Sequence, residues 1–297
     1  MPAATAALVV CKHNYRQKRG TLLKQRIISA LVGVIILFIV LGLFKTPVFN
    51  LAIAFLMAVA AYEIAKTVAP GQPEMLRAFS MLFGALAAFA NLPALVLLVL
   101  VYVVVMFAAA ISRFPKVDVA ALGLQVMMTI GVVACFYCVL LLREKADNIL
   151  LALYYIFMIF SSAWLSDIGA FLVGCRFGKR KLAPTVRPKK SVEGLWGGLA
   201  FGVLGNLLFS WLFASVLAGY AGVTLSINYL YVALVSPVLV LLGVLGDLSA
   251  SMVKRTYGIK DYGNLMPGHG GVMDRFDSFL YVAPLVYFLM VNFPFAV

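Results

Sequence analysis

The apolar positions of this chain come in long unbroken runs rather than as one-sided stripes. Nine segments, 27–44, 48–65, 76–93, 94–112, 120–142, 149–173, 195–219, 229–250 and 277–296, are separated by short polar breaks. A run of about 20 apolar residues matches the roughly 30 Å hydrocarbon core of a bilayer at the rise of an α-helix. A membrane β-barrel would instead show short segments alternating in polarity. The pattern predicts an all-α, polytopic membrane protein with about nine transmembrane helices. The third and fourth runs are parted only by Asn91, Leu92 and Pro93, so this break decides between nine helices and eight.

Composition and charge sharpen that picture. Of 297 residues, 64% are hydrophobic and 12% charged, against about 45–50% and 25% in a soluble domain. The formal net charge is +13, and its distribution matters more than its size. With nine spans and the N-terminus in the cytoplasm, only Lys45, Arg143 and Lys145 of the 24 Lys and Arg fall on the far side. That is the positive-inside bias. It favours an N-in, C-out arrangement and removes the reason to expect a nucleic-acid partner. The chain divides into a basic cytoplasmic tail (1–26), a five-span scaffold (27–148) and a four-span region with polar loops (149–297). Cys135 and Cys138 form a C-x-x-C spacing inside an apolar run with no His or Asp near in sequence, which reads as small helix residues rather than a redox or zinc pair.

Candidate chemistry concentrates after Trp164. Within the first five spans the one carboxylate is Glu63, placed either to snorkel beside Lys66 or to line a polar cavity. Asp167 lies inside the sixth span, where a carboxylate is costly and usually faces a cavity. Ala170, Phe171 and Gly174 share its helix face, so a small-residue packing face is the alternative. The following loop carries Arg176, Lys179, Arg180, Lys181, Arg187, Lys189 and Lys190 before Ser191 and Gly194. This reads either as cytoplasmic charge attracting anionic lipid or as a phosphate site at a helix start with free N–H groups. In the eighth span Asp247, Ser251 and Lys254 stand at i, i+4 and i+7, on one face. Beyond it, the glycines and proline of 267–271 bar a regular helix and leave backbone amides to meet an anion. Asp274 and Asp277 then open the last helix as a hard-oxygen pair suited to Mg²⁺. The sequence holds neither a Cys/His cluster nor a P-loop.

The run Ser251-x-x-Lys254-Arg255-x4-Lys260-Asp261-x-Gly263-x3-Pro267-x-His269-Gly270-Gly271-x2-Asp274-Arg275-x-Asp277 resembles the signature of the phosphatidate cytidylyltransferase (CDP-diglyceride synthase) family. The stretches 164–174 and 177–198 also resemble that family, while the first 160 residues do so only in hydropathy. The chain departs from it at Ala250, where members commonly carry Glu, at Met266, where Ile or Leu is usual, and at Arg187, where Ser is usual.

The resemblance implies transfer of the cytidylyl group of CTP to phosphatidate, giving CDP-diacylglycerol and pyrophosphate, at a cell inner membrane with the site facing the cytoplasm. It implies Mg²⁺ on Asp247, Asp274 and Asp277, with room for a second cation, and a catalytic group of Asp247, Lys254, Asp274 and Asp277. Lys254, Arg255, Lys260 and Arg275 would contact phosphates. Lys179, Lys181, Lys189, Lys190, Ser191, Ser251, Asp261, Gly270 and Gly271 would line the substrate site. His269 would fix the glycine-rich loop or act in catalysis, and Asp167 would orient a cation or lysine at the cavity mouth. A homodimer is compatible with it. Three other readings stay open: another CTP-dependent lipid or polyprenol enzyme, a cation-coupled transporter, and an inactive structural homologue, raised by Ala250. Inverted repeats would favour the transporter, and the sequence shows none.

Overall fold

The computed structural model describes residues 31–218, 222, 225–265 and 270–296. The basic tail expected over 1–26, the first residues of the first run and His269 lie outside them. Nine helices are described, one for each apolar run: α1 (Leu31–Gly42), α2 (Pro47–Val68), α3 (Glu74–Ala87), α4 (Leu92–Ile111), α5 (Val119–Lys145), α6 (Ile149–Phe177), α7 (Val192–Leu212), α8 (Tyr229–Thr256) and α9 (Met273–Asn292). A π-helical segment, Phe213–Ala218, continues α7. Six of these helices are long and apolar enough to cross a membrane: α2, α4, α5, α6, α7 with its continuation, and α8. At 14 residues α3 is shorter than its apolar run and extends about 21 Å. The outward face of α4, with Val96, Leu97, Leu100 and Val104 exposed, is an apolar belt larger than a water-facing surface tolerates. The whole is a polytopic, α-helical membrane architecture.

Short polar residues set the helix starts. Thr46, Asn91, Asp118, Asn148, Ser191 and Asn228 each accept a backbone N–H of the helix they precede, the usual N-cap exchange. The Asn91 cap begins α4 four residues after α3 ends, so the third and fourth runs are two helices. No side chain of its own segment caps α9, whose N-cap is Val272.

One feature departs from an all-α fold. Between α6 and α7 the basic loop folds into an antiparallel hairpin, β1 (Lys181–Ala183) and β2 (Arg187–Ser191). The hairpin is anchored because α6 and α7 pack very closely. A Cβ on Gly169 of α6 would lie 2.8 Å from the carbonyl of Gly197 of α7, and one on Gly197 would lie 2.9 Å from the carbonyl of Gly169. Deeper in the bundle, Asn206 of α7 donates to Ser162 of α6 (2.9 Å) and to Ser236 of α8 (3.0 Å) and accepts from Ser161 (2.5 Å). The start of α9 is held by rings: Phe160 lies 5.0 Å from Phe279, and Phe136 lies 5.4 Å from Phe276. Each such pair adds about 0.5–1.5 kcal/mol beyond its buried area.

Candidate active site

Asp247, Ser251 and Lys254 are buried on one face of α8, as their spacing requires. Each meets a partner from another element. Arg187 of β2 donates through Nη2 to Asp247 Oδ1 and through Nε to Ser251 Oγ, the latter at 2.8 Å. Lys190 places Nζ 2.5 Å from Asp247 Oδ2 and 3.9 Å from Asp167 Oδ1. Residues three apart on a regular strand point to opposite faces. Here Lys181 pairs with Ser191 and Ala183 with Arg187, so β2 advances four residues while β1 advances two. That irregularity re-aims a side chain and lets Arg187 and Lys190 reach the same carboxylate.

Lys254 donates to Asp274 Oδ1 at 2.8 Å, and both side chains are almost fully buried. The other oxygen of Asp274 accepts the amides of Tyr262 (2.7 Å) and Gly271 (3.0 Å). Gly270 has φ +88°, and a Cβ there would lie 3.0 Å from that oxygen. Tyr262 also packs under the lysine, its ring centroid 5.3 Å from Lys254 Nζ. Burial pushes the Tyr262 phenol up from its ordinary value, so it stays protonated and donates to the carbonyl of Ala250 (3.0 Å).

Two expectations about free amides change. The start of α7 is filled from within: Ser191 Oγ accepts Gly194 N–H (3.1 Å), and Glu193 reaches back to the amides of Lys179 (2.9 Å) and Arg180 (3.2 Å). In the glycine-rich segment the amides of Gly271, Val272 and Met273 likewise meet an anion, but an internal one. Asp274 takes the first, and Glu63 takes the other two at 3.1 and 2.9 Å. Glu63 therefore binds amides instead of snorkelling beside Lys66, and with Tyr62, Lys66, Tyr262 and Asn264 it also lines a cavity of about 630 Å³. It is buried against α9.

Asp167, Lys189, Lys190, Ser191, Asp247, Asp274, Arg275 and Asp277 line one cavity of about 420 Å³, together with Arg187. Lys254 and Ser251 support it from behind. Lys179, Lys181, Lys260 and Asp261 are exposed and line no part of it, and Arg255 turns to the carbonyls of Val186 (3.4 Å) and Ile259 (3.3 Å). Sequence reading missed Tyr262, had Arg187 only as one cation of the basic loop, and left Glu63 between two roles. The roles of all three lie in contacts across the fold. Ala250 is buried.

The donor set can be tested against Mg²⁺. Among the described residues no three Asp, Glu, His or Cys side chains converge to hold an ion. Asp274 has both oxygens engaged. Asp247 and Asp277 share the cavity, and Asp247 Oδ2 is buried without a hydrogen-bond donor, the nearby Lys190 Nζ lying outside hydrogen-bond geometry. A pair of hard oxygens beside a cationic pocket fits Mg²⁺, which takes one or two carboxylates and fills its shell with water and phosphate oxygens.

A second cavity of about 360 Å³ opens from the same carboxylates, Asp167, Asp274 and Asp277, toward Leu37, Phe160, Phe276 and Phe279. Those four side chains also line a third cavity, about 590 Å³ and almost wholly apolar, between α1, α2, α5, α6 and α9. Charged groups and an apolar chamber thus share walls.

The chain is similar to the phosphatidate cytidylyltransferase of Bacillus subtilis (strain 168), 39% identical over 171 residues, which are 58% of this chain and 59% of that protein. It is similar to the one from Staphylococcus epidermidis (strain ATCC 12228 / FDA PCI 1200), 41% identical over 138 residues, 46% and 49% of the two chains. It is similar too to that of Staphylococcus aureus (strain COL), 40% identical over 140 residues, 47% and 50%. The chain thus spans about half the length of the curated relatives it matches. The sequence profile of the Cytidylyltransferase family extends further, over residues 24–293. With nearly the whole chain matched, this protein belongs to the Cytidylyltransferase family.

Proposed function

We propose that this protein transfers the cytidylyl group of CTP to phosphatidate, forming CDP-diacylglycerol and pyrophosphate. The observation that carries the reading is the intermediate cavity, which shares Asp167, Asp274, Arg275 and Asp277 with the charged cavity and Leu37, Phe160, Phe276 and Phe279 with the apolar one. A substrate with a phosphate head and acyl tails needs both at once. The names of the similar proteins point to the same reaction.

In the reaction a phosphate oxygen of phosphatidate attacks the α-phosphorus of CTP. A new P–O bond forms, the bond to the β-phosphate breaks, and pyrophosphate leaves with that electron pair. The attacking oxygen is already ionised, so no strong general base is needed. Both reactants are anions, and the chain supplies cations where they meet. Arg187 and Lys190 face the cavity from β2, and Arg275 from α9. They bind and orient phosphates and offset charge that builds on the transferring group. Mg²⁺, held by Asp247 and Asp277 beside Asp274, would supply further charge neutralisation on the phosphates. Lys254 keeps Asp274 in place.

For the membrane setting, we propose nine spans with the N-terminus in the cytoplasm and the carboxylate cavity on the cytoplasmic side, so that CTP arrives from water and phosphatidate sideways from the bilayer. The one-sided distribution of Lys and Arg supports this. The test is detergent-solubilised protein given CTP and phosphatidate, with and without Mg²⁺, beside Asp247→Asn. Mg²⁺-dependent pyrophosphate release with CDP-diacylglycerol as product, lost in the variant, is the expected result. A folded protein that releases no pyrophosphate with phosphatidate would overturn the reading, and release with a polyprenol phosphate instead would redirect it.

A further inference from the structure

The N-terminal half of the chain sends one carboxylate into the C-terminal half. Glu63, near the end of α2, is 5% exposed, and both of its oxygens are used: Val272 N–H donates to Oε1 and Met273 N–H to Oε2. These are orphan donors at the start of α9, where no side chain of the local segment caps. Two glycines make room for the acid. A Cβ on Gly263 or on Gly271 would overlap the Glu63 carboxylate. The segments on both sides of the glycine-rich turn thus fold around Glu63.

What Glu63 holds is the segment that presents the site. Its two amides sit immediately before Asp274, and the neighbouring amides, Tyr262 and Gly271, are taken by Asp274 itself. Two carboxylates from different helices thus take four amides of the segments around the turn. Asp274 is thereby set against Lys254, and Asp277, one turn later, is set in the cavity with Asp247. Burying an acid in an apolar bundle is unfavourable unless hydrogen bonds meet it, and a neutral local cap would satisfy the same amides with less desolvation. A long-range carboxylate adds something a local cap cannot: it ties the start of α9 to α2.

We propose that Glu63 is a positioning residue for the reaction, clamping the start of α9 so that Asp274 and Asp277 keep their places. The inference rests on the cytidylyl-transfer reading of the cavity. It acts through backbone amides and touches neither substrate.

The test uses the full chain in detergent with Glu63→Gln, which is near-isosteric and retains one oxygen, and Glu63→Asp, which retains the charge. Three readouts are taken: kcat and KM from pyrophosphate release, thermal stabilisation by MgCl₂, and amide exchange of peptides carrying Val272 and Met273. Supporting members that orient first ligands typically matter about 10–100-fold. Glu63→Gln is expected to lower kcat by about that much, with KM for phosphatidate little changed, a weaker Mg²⁺ stabilisation and faster exchange confined to the α9 start. Glu63→Asp should recover part of kcat. Native kcat in Glu63→Gln would overturn the proposal, and so would exchange accelerated in all helices, which marks general loosening. If the native protein itself releases no pyrophosphate, the functional reading falls, and the exchange result alone decides the clamp: local acceleration upholds it, none overturns it.

Discussion

Lys254 and Asp274 form an ion pair at 2.8 Å in which the side chains are only 6% and 3% exposed. A pair so buried stabilises little compared with apolar residues of the same shape, but breaking it leaves a charge without a partner, at about 3–5 kcal/mol. Lys254→Met and Asp274→Asn should therefore each lower the melting temperature in detergent sharply. The double variant should recover much of the loss, because the carboxamide oxygen introduced at position 274 still accepts the amides of Tyr262 and Gly271 and no ammonium is stranded. All three should be inactive. A double variant no more stable than the singles would show that the pair does not couple as its geometry requires.

Arg187 competes with any cation for Asp247. Its side chain is 36% exposed, so the competition is discounted for solvent to about 1 kcal/mol, or about fivefold. Arg187→Ala should lower the Mg²⁺ concentration for half-maximal rate by roughly that factor and raise KM for CTP, since a phosphate partner is lost. Arg255→Ala, which removes a cation outside the cavity, should leave the Mg²⁺ requirement as it is. An unchanged requirement in Arg187→Ala would argue that Asp247 is not a ligand of the ion.

The close approach of α6 and α7 predicts a contrast between two glycines. A methyl on Gly169 would run into Phe201 and the carbonyl of Gly197, whereas one on Gly123 of α5 meets nothing within 4 Å. Gly169→Ala should destabilise by about 1–3 kcal/mol and shift the hairpin that carries Arg187 and Lys190, lowering activity as well. Gly123→Ala should be neutral or stabilising by up to about 1 kcal/mol. Thermal unfolding of the two variants side by side reads the difference.

The helices and the α8 face were legible because they depend on local pattern. Among the described residues the nine apolar runs yield nine helices, Asn91 marks the break that separates α3 from α4, and the spacing of Asp247, Ser251 and Lys254 places them on one buried face. What the pattern hid is what depends on contacts distant in sequence. The loop amides look free in one dimension, yet Glu63, more than 200 residues away, takes two of them. Arg187 and Lys190 look like loop charge until an irregular strand pair turns both toward Asp247. Asp274, grouped with the metal ligands by its spacing, has both oxygens engaged by Lys254 and by the amides of Tyr262 and Gly271.

The apolar chamber makes a prediction about the lipid that the charged cavity cannot. Leu37 of α1 lines both the chamber and the cavity that joins it to Asp274 and Asp277, so it stands at the passage between head and tail. Filling that passage should act on the tail alone. Leu37→Trp is expected to raise KM for a long-chain phosphatidate several-fold while leaving KM for CTP unchanged. A water-soluble short-chain phosphatidate, too short to enter the chamber, should be turned over by variant and native protein alike. Equal losses with both lipids would mean that the tail does not pass Leu37. A loss in KM for CTP would mean that bulk at α1 has disturbed the carboxylates, and the chamber would then be packing space rather than a place for an acyl chain.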